Sequence, residues 1–485
     1  MTDFATIFPV YDAQAAPLTF PSRYQQARYE LISRRMAEHQ SCTMNACCPD
    51  RAERAGAYRF LNHPGVTERL LQEQTARRCA RAAAAAGPGD KLVISDTCEV
   101  DLGRYAGRLE ANGGLGAGSK KGREHCYFVH PQLVVEEAGG TLLGVAEAFC
   151  YHRAADRPGR DSRHDRALED KESVRWLRGA ANAHARLRAA GTTGRLIYVS
   201  DREADNYGHL AGLLALEGAD LVVRARHDRA CAGPPGAPRL FARLAARPVV
   251  YCYKQRVRLT PAERREHGTT DKWRWAHMEV RAERVVLEPP RGHGGAGLRL
   301  GAVWARERTD LQDRPDSYEA VDWKLLTTLA VTTAAELARV LGIYERRWLI
   351  EELFFVMKSG AFGLSRARLH SGRGIRKLTM LIMDNSLKVV QLREAQRGRT
   401  QLPCEAVFDE EQRACLAELL PGLQGRGAAL RNPHAEGTLA HASWIIARLG
   451  GWKGYATSRP PGVQTMSRGL ERFEFICYGR NLNGP

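Results

Sequence analysis

The sequence predicts an α/β protein: a mixed sheet flanked by helices, interrupted by a β-rich insertion and bracketed by helical regions at both ends. Three patterns lead there. From about residue 90, short Val-, Ile- and Leu-rich runs replace the helical periodicity of the first 70 residues. A segment of helical period then separates the third of these runs from the fourth. Between about 227 and 333, strand-like runs alternate with Gly- and Pro-rich turns before helical patterns return.

In chain order, RYQQARYELISRRMAEH reads as a helix with basic residues on one side, and GAYRFLNHPGV as a turn-containing segment after it. KLVISD, YFVHPQLVVE and TLLGVAEAF read as strands, KESVRWLRGAANAHARLRAA as a helix, and RLIYVSD and ADLVVRAR as strands buried on both faces. VVYCYKQRVRL, MEVRAERVVLEPP, LRLGAVWARE and WKLLTTLAV supply the insertion, and the region after about 375 reads as helical. This divides the chain into a helical region over 1–70, a core over 71–375 interrupted at about 227–333, and a helical region over 376–485.

The hydrophobic share of 44% and charged share of 26% belong to a folded chain. The net charge of +17 favours a polyanionic partner, nucleic acid or an acidic membrane surface. MTDFATIFPVYD does not read as a secretory signal, and no apolar run approaches the roughly 18 residues of a membrane span. The expectation is a soluble, cytoplasmic protein, associated with the nucleoid when bound to DNA. The twelve cysteines show only one cluster, Cys42, Cys47 and Cys48, without paired CxxC spacing, so zinc is not expected. Gly113 to Gly118 has the glycine spacing of a phosphate loop, but Ser119 stands where its lysine belongs, and no nucleotide cofactor is expected.

Two strands end on an aspartate, Asp96 and Asp201. Carboxylates at strand ends face the crevice where open sheets bind ligands, and hard divalent cations prefer such oxygen donors. The plain alternative is a cap or turn aspartate, and DREAD also offers Glu203 and Asp205. The stretch YERRWLIEELFFVMK, Tyr344 to Lys358, tips the balance. Read as one helix at about 100° per residue, it places Tyr344, Arg347, Glu351 and Lys358 in a stripe roughly 60° wide on an otherwise apolar cylinder. A helix apolar on most sides is buried, so its charges need partners. Glu351 falls in the stripe and Glu352 outside it. Three carboxylates from two strands and one helix, in a basic protein, point to two-metal phosphoryl transfer, which needs no covalent protein intermediate. Tyr344, Arg347 and Lys358 then become phosphate ligands on the same face.

Y-x-x-R-x-x-x-E-x-x-x-x-x-x-K, filled by Tyr344, Arg347, Glu351 and Lys358, resembles the signature of cut-and-paste transposases of the bacterial insertion-sequence four family, especially its Tn-five-like members. The resemblance extends through GAYRF at 56–60, the strand ending at Asp96, KES-x-x-WL at 171–177, DREAD at 201–205, VVR at 222–224, W-x-LLT at 323–327, IEE at 350–352 and IARLGG at 446–451. It implies an RNase H-like catalytic core with a β insertion, a helical DNA-end-binding region before it and a helical dimerisation region after it. Asp96, Asp201 and Glu351 match the DDE triad of that family, which holds two magnesium or manganese ions. Tyr344, Arg347 and Lys358 match residues holding the backbone near a flipped base, and Trp323 an aromatic that stacks on such a base. Without the resemblance, Trp323 reads as a strand-core tryptophan. Arg59 and Arg224 match DNA contacts, and Lys120 and Lys121, after GGLGAG, sit on a hairpin able to reach DNA.

The implied activity is cut-and-paste transposition of an insertion sequence: strand nicking, hairpin formation, hairpin opening and strand transfer. The implied partners are double-stranded transposon ends and target DNA, bound by a homodimer in a synaptic complex. A catalytically inactive DNA-binding relative that inhibits transposition, and a non-transposing metal-dependent nuclease, are the competing expectations. The first 25 residues depart from the family and read as shorter or disordered, and the tail FEFICYGRNLNGP reads as unlike a long dimer helix.

Overall fold

The computed structural model describes residues 4–110, 113–153, 169–290, 295–310, 319–358, 362–364, 367–455 and 458–482. The chain is mixed α/β and divides into two compact units, one formed by Met1–Gly194 with Trp348–Pro485 and the other by Arg195–Arg347. The β-rich stretch at about 227–333 lies inside the second unit.

The first unit opens with α1 (Phe4–Ile7), α2 (Arg23–His39), α3 (Met44–Cys47), α4 (Arg51–Asn62) and α5 (Glu68–Ala85). Ser22, Asp50 and Thr67 start α2, α4 and α5 by accepting hydrogen bonds from the first-turn amides that would otherwise lack a partner. Phe8 is fully buried, its ring 5.0 Å from those of Phe149 and Tyr151, and the Tyr11 amide donates to Asn182 at 2.8 Å. At Phe8 and Tyr11 these contacts correct the expectation of disorder.

Next come β1 (Lys91–Ser95), β2 (Cys98–Asp101), β3 (Cys126–Glu136), β4 (Leu142–Tyr151) and α6 (Val174–Ala189). β3 is the long central strand. Residues 126–129 of β3 pair with β2, residues 132–136 pair with β1, and β4 runs along its other edge, all antiparallel. β1 and β2 therefore lie end to end on one edge of β3, and Asp96 and Thr97 form the joint between them. α5 lies close on β4 because residue 144 is glycine. With φ at +134°, Gly144 adopts a backbone that side-chain-bearing residues avoid, and a Cβ there would stand 2.7 Å from that of Cys79. Between β4, α5 and α6, the fully buried Glu147 accepts from Arg69 at 2.8 Å and Asn182 at 3.0 Å, and Arg186 pairs with Glu73 at 2.6 Å. Such charges stay inside only when paired.

The second unit is a mixed sheet with four helices among its described residues: β5 (Leu196–Ser200), α7 (Tyr207–Leu214), β6 (Ala219–Arg224), α8 (Leu240–Ala245), β7 (Tyr251–Arg258), α9 (Pro261–Glu266), β8 (Trp273–Leu287), β9 (Leu298–Glu307), β10 (Asp322–Thr327) and α10 (Ala334–Glu345). β5 and β6 are parallel, joined through α7, and the order continues β10, β9, β8, β7 with antiparallel pairings. The Val, Leu and Ile runs of β5 and β6 are buried, as both-face coverage requires.

The chain then returns to the first unit with α11 (Trp348–Lys358), α12 (Gly372–Gln396), α13 (Glu410–Leu423), α14 (Leu439–Leu449) and α15 (Val463–Leu482). The tail expectation is corrected here. FEFICYGRNL completes a 20-residue helix whose stripe of Val463, Met466, Leu470 and Phe473 is buried, while residues 483–485 lie outside the described residues. α14 and α15 meet through glycines. A Cβ on Gly469 would fall 1.8 Å from the Ile446 carbonyl oxygen, and one on Gly450 would fall 2.0 Å from that of Thr465. Among the described residues no helix is long and apolar enough to cross a membrane.

Candidate functional site

In the first unit the candidate site begins at the joint between β1 and β2. Asp96 is half-buried and its Oδ1 accepts from the Thr97 amide at 2.7 Å. Thr97 is held from two chain segments that the sequence gives no reason to connect. Its hydroxyl lies 3.0 Å from Nδ1 of His130 on β3 and accepts from Nε of Arg175 on α6 at 3.1 Å. Arg175 is anchored in turn at Glu172, whose carboxylate receives two 2.7 Å bonds from Arg153 and one of 2.9 Å from the Tyr151 hydroxyl. Burial pushes the Glu172 carboxyl up, but the bonds from Arg153 and the neighbouring Arg175 charge hold it below the usual carboxylate range. The KES-x-x-WL segment thus has a physical role: it supports the residue that follows Asp96.

Lys358, at the end of α11, donates from Nζ to the carbonyl oxygen of Glu99, three residues beyond Asp96, at 3.1 Å. The Cys98 thiol beside it is pushed up to about 11 by burial, against the lowering influence of the Lys358 ammonium. Glu351 sits two helical turns earlier than Lys358 on the same side of α11, half-buried. Glu352 is committed elsewhere, bound to Arg393 on α12 and 3.6 Å from Arg397. The carboxylate that the wheel rejects thus serves in a structural ion pair.

Two expectations about this helix are corrected. Tyr344 to Lys358 is not one helix, because α10 ends at Glu345 and α11 starts at Trp348. The Arg346 and Arg347 amides bond three residues back, to Ile343 and Tyr344 at 3.2 and 3.0 Å, and this tightened turn closes the first helix. The stripe is consequently split, with Tyr344 and Arg347 in the second unit and Glu351 and Lys358 in the first. Nor is α11 covered all round. Trp348 and Phe355, seven residues apart and so on one side, are 54% and 48% exposed.

The second unit gathers its candidates at one end of its sheet. Ser200 on β5 pairs in register with Val223 on β6, so Asp201 and Arg224 follow at the carboxyl ends of the two parallel strands. β10 runs back along β6 with Leu325 opposite Arg224, which brings Trp323 to the same end. The Arg224 guanidinium donates to the Asp322 carbonyl oxygen at 2.7 Å. Trp323 is half-buried and meets the buried Tyr344 edge to face, with ring centroids 5.4 Å apart at 68°, and the buried Arg347 guanidinium lies 5.9 Å from the Tyr344 ring. Asp201 also does what the plain alternative describes, accepting from the Glu203 amide at 2.8 Å to cap the turn Arg202–Ala204. Asp205 is buried and structural, accepting the amides of Arg226 and His227 at 2.7 and 2.9 Å and pairing with Arg229.

The remaining basic candidates belong to the first unit. Arg59 points outward from α4, whose Ala57 and Phe60 face the core. Lys120 and Lys121 are exposed at the tip of a turn pinned by Glu99, which takes the Ser119 amide at 2.7 Å and Arg123 at 2.8 Å. Although burial raises it, these bonds hold the Glu99 carboxyl at about 2.

Among the described residues no group of three or more His, Cys, Asp or Glu side chains is spaced to hold a metal ion. The candidate donors are carboxylate oxygens alone, a set suited by hardness to magnesium or manganese rather than to zinc. No known protein-family model matches the chain.

Proposed function

We propose that the protein is a DDE transposase of RNase H-like fold, which cuts an insertion sequence out of double-stranded DNA and joins it to a target by phosphoryl transfer. The observation that carries the reading is the placement of the strand-terminal carboxylates. Asp96 occupies a joint between two strands that is propped by a buried charged network, beside the end of the helix bearing Glu351. Asp201 ends a parallel strand beside Arg224 and the Trp323–Tyr344–Arg347 cluster. Strand-end placement is where open sheets present ligand-binding groups.

In this reading Asp96, Asp201 and Glu351 hold two magnesium or manganese ions, whose chemistry is to activate the attacking oxygen and stabilise the leaving one. Lys358 serves as a point charge toward the phosphodiester, and Arg347 and Arg224 as fork-shaped donors. Trp323 supplies a ring for a base taken out of the helix, and the exposed Arg59, Lys120 and Lys121 contact backbone phosphate. Two copies pair two transposon ends. Incubating the purified protein with its element's own ends, magnesium and a target plasmid, then sequencing the junctions, tests the reading. Joined products flanked by a short target duplication support it. Intact ends, or cut ends that are never joined, would sink it.

A further inference from the structure

A second candidate feature lies on the edge of the second unit's sheet. β7 is the edge strand of the second unit's sheet, and its outer half pairs with the start of β8: Arg258 opposite Trp273, Arg256 opposite Trp275 and Lys254 opposite His277. Residues directly opposed in an antiparallel pair project on the same face. One face of this two-stranded ribbon therefore carries Lys254, Arg256 and Arg258 in alternation on one strand, and Trp273 and Trp275 on the other. All three cations are exposed, and the tryptophans are 46% and 63% exposed. The Arg256 guanidinium sits 5.2 Å from the Trp273 ring centroid, a cation–π distance that holds the arginine over the apolar surface.

A lone exposed tryptophan is ordinary. Two of them at i and i+2 on an edge ribbon, each faced by an arginine, form a pattern with a direction. Along a strand that spacing is about 6.8 Å, or roughly two base steps of 3.4 Å. The carboxylates Glu263, Glu266 and Asp271 fall in the segment connecting the strands, outside the paired positions, and Glu279, further along β8 on the same face, is already bound by Arg281 and Arg306. Among the described residues Lys254, Arg256 and Arg258 form no ion pair, so their charge is available to an anion. Flat apolar rings between regularly spaced cations match a partner that alternates base faces with phosphates. Duplex DNA buries its base faces in the stack, so the partner has unpaired bases.

We propose that the Trp273–Trp275 ribbon is a stacking platform for single-stranded DNA, a strand exposed when a duplex is opened. The choice of DNA over RNA rests on the transposase reading; the platform itself does not. The test is binding of a thymidine oligonucleotide about 12 nucleotides long to the full chain, followed by tryptophan fluorescence and anisotropy. The expected result is a quench of emission and affinity at least tenfold higher than for a duplex of equal length. Trp273→Ala and Trp275→Ala each weaken single-strand binding roughly tenfold and leave duplex binding within about twofold, whereas the Phe variants retain most of the affinity. Arg256→Ala weakens binding and flattens its salt dependence. Equal affinity for duplex and single strand, or an unchanged affinity in the double Ala variant, overturns the platform. Tighter binding of the matching uridine RNA overturns the choice of DNA. Cleavage of transposon ends in magnesium is measured separately: single-strand binding without cleavage leaves the platform standing while removing the transposase reading, and cleavage with unchanged affinity does the reverse.

Discussion

The joint between β1 and β2 and the end of the sheet around Trp323 solve different problems. At the joint, Asp96 is fixed indirectly: the residue after it is clamped by His130 and Arg175, and Arg175 donates to the backbone carbonyl of Glu172, whose carboxylate is bound by Arg153 and Tyr151. Around Trp323 the organising contacts are a ring on a ring and a guanidinium near a ring. The first arrangement depends on complete pairing of buried charge, where a single missing partner is costly. The second depends on shape and tolerates a change of polarity better than a loss of surface. Under the proposed function, carboxylate chemistry needs the former kind of rigidity, and a base that enters and leaves suits the latter.

That contrast can be broken in several ways, beginning with the largest effect. Asp96→Ala and Glu351→Ala are expected to reduce strand cleavage of the matching ends by about a thousandfold with little change in melting temperature; cleavage assays in magnesium that find near-normal rates remove both residues from the triad. Glu352→Gln, by contrast, leaves Arg393 without its partner, and a loss of roughly 2 kcal/mol in denaturant unfolding with cleavage retained is expected. If Glu352→Gln abolished cleavage while Glu351→Gln did not, the two carboxylates would have to exchange roles. Trp323→Ala should slow hairpin formation about tenfold more than the first nick. Equal losses at both steps, read from gel-resolved intermediates, count against stacking.

The smallest effect concerns acid. Glu99 is held at about 2, below its ordinary 4.5, so the stability it contributes to the turn over 113–125 is fully present above about 4.5 and is lost as pH falls toward 2. Hydrogen exchange of the turn amides should therefore accelerate across that window by an amount worth less than about 1 kcal/mol. Arg123→Ala should move the window upward, and a turn that exchanges identically in both proteins contradicts the assignment.

What the sequence reveals follows from how local each signal is. The strand ends at Asp96 and Asp201 are legible because an apolar run stops on a carboxylate, and α2 coincides with RYQQARYELISRRMAEH because its pattern is self-contained. The preference for Glu351 over Glu352 rests on a wheel drawn from Tyr344, of which only Trp348–Lys358 is one helix. Phase fails at Arg346 and Arg347, where backbone bonds three residues back end α10, an event that side-chain periodicity does not encode. The clamp on Thr97 is illegible for the opposite reason: His130 and the Glu172–Arg175 segment lie more than 30 residues from Thr97 and from each other, and none of these residues alone announces a partner. The exposure of Trp348 and Phe355 was hidden because an apolar residue on a wheel says nothing about what covers it.

The glycine contact between α14 and α15 bears on how this molecule tolerates change. At Gly450 and Gly469 the neighbouring atom is a backbone carbonyl oxygen, which has no rotamer with which to yield. A saturation library screened for folded protein should return almost nothing but glycine at both positions, while the exposed Ile476 and Tyr478 further along α15 accept wide variation. The last helix is thereby conservative at two points and permissive beyond them, which makes its outer face the place where a label or tag can be carried without disturbing the rest of the chain.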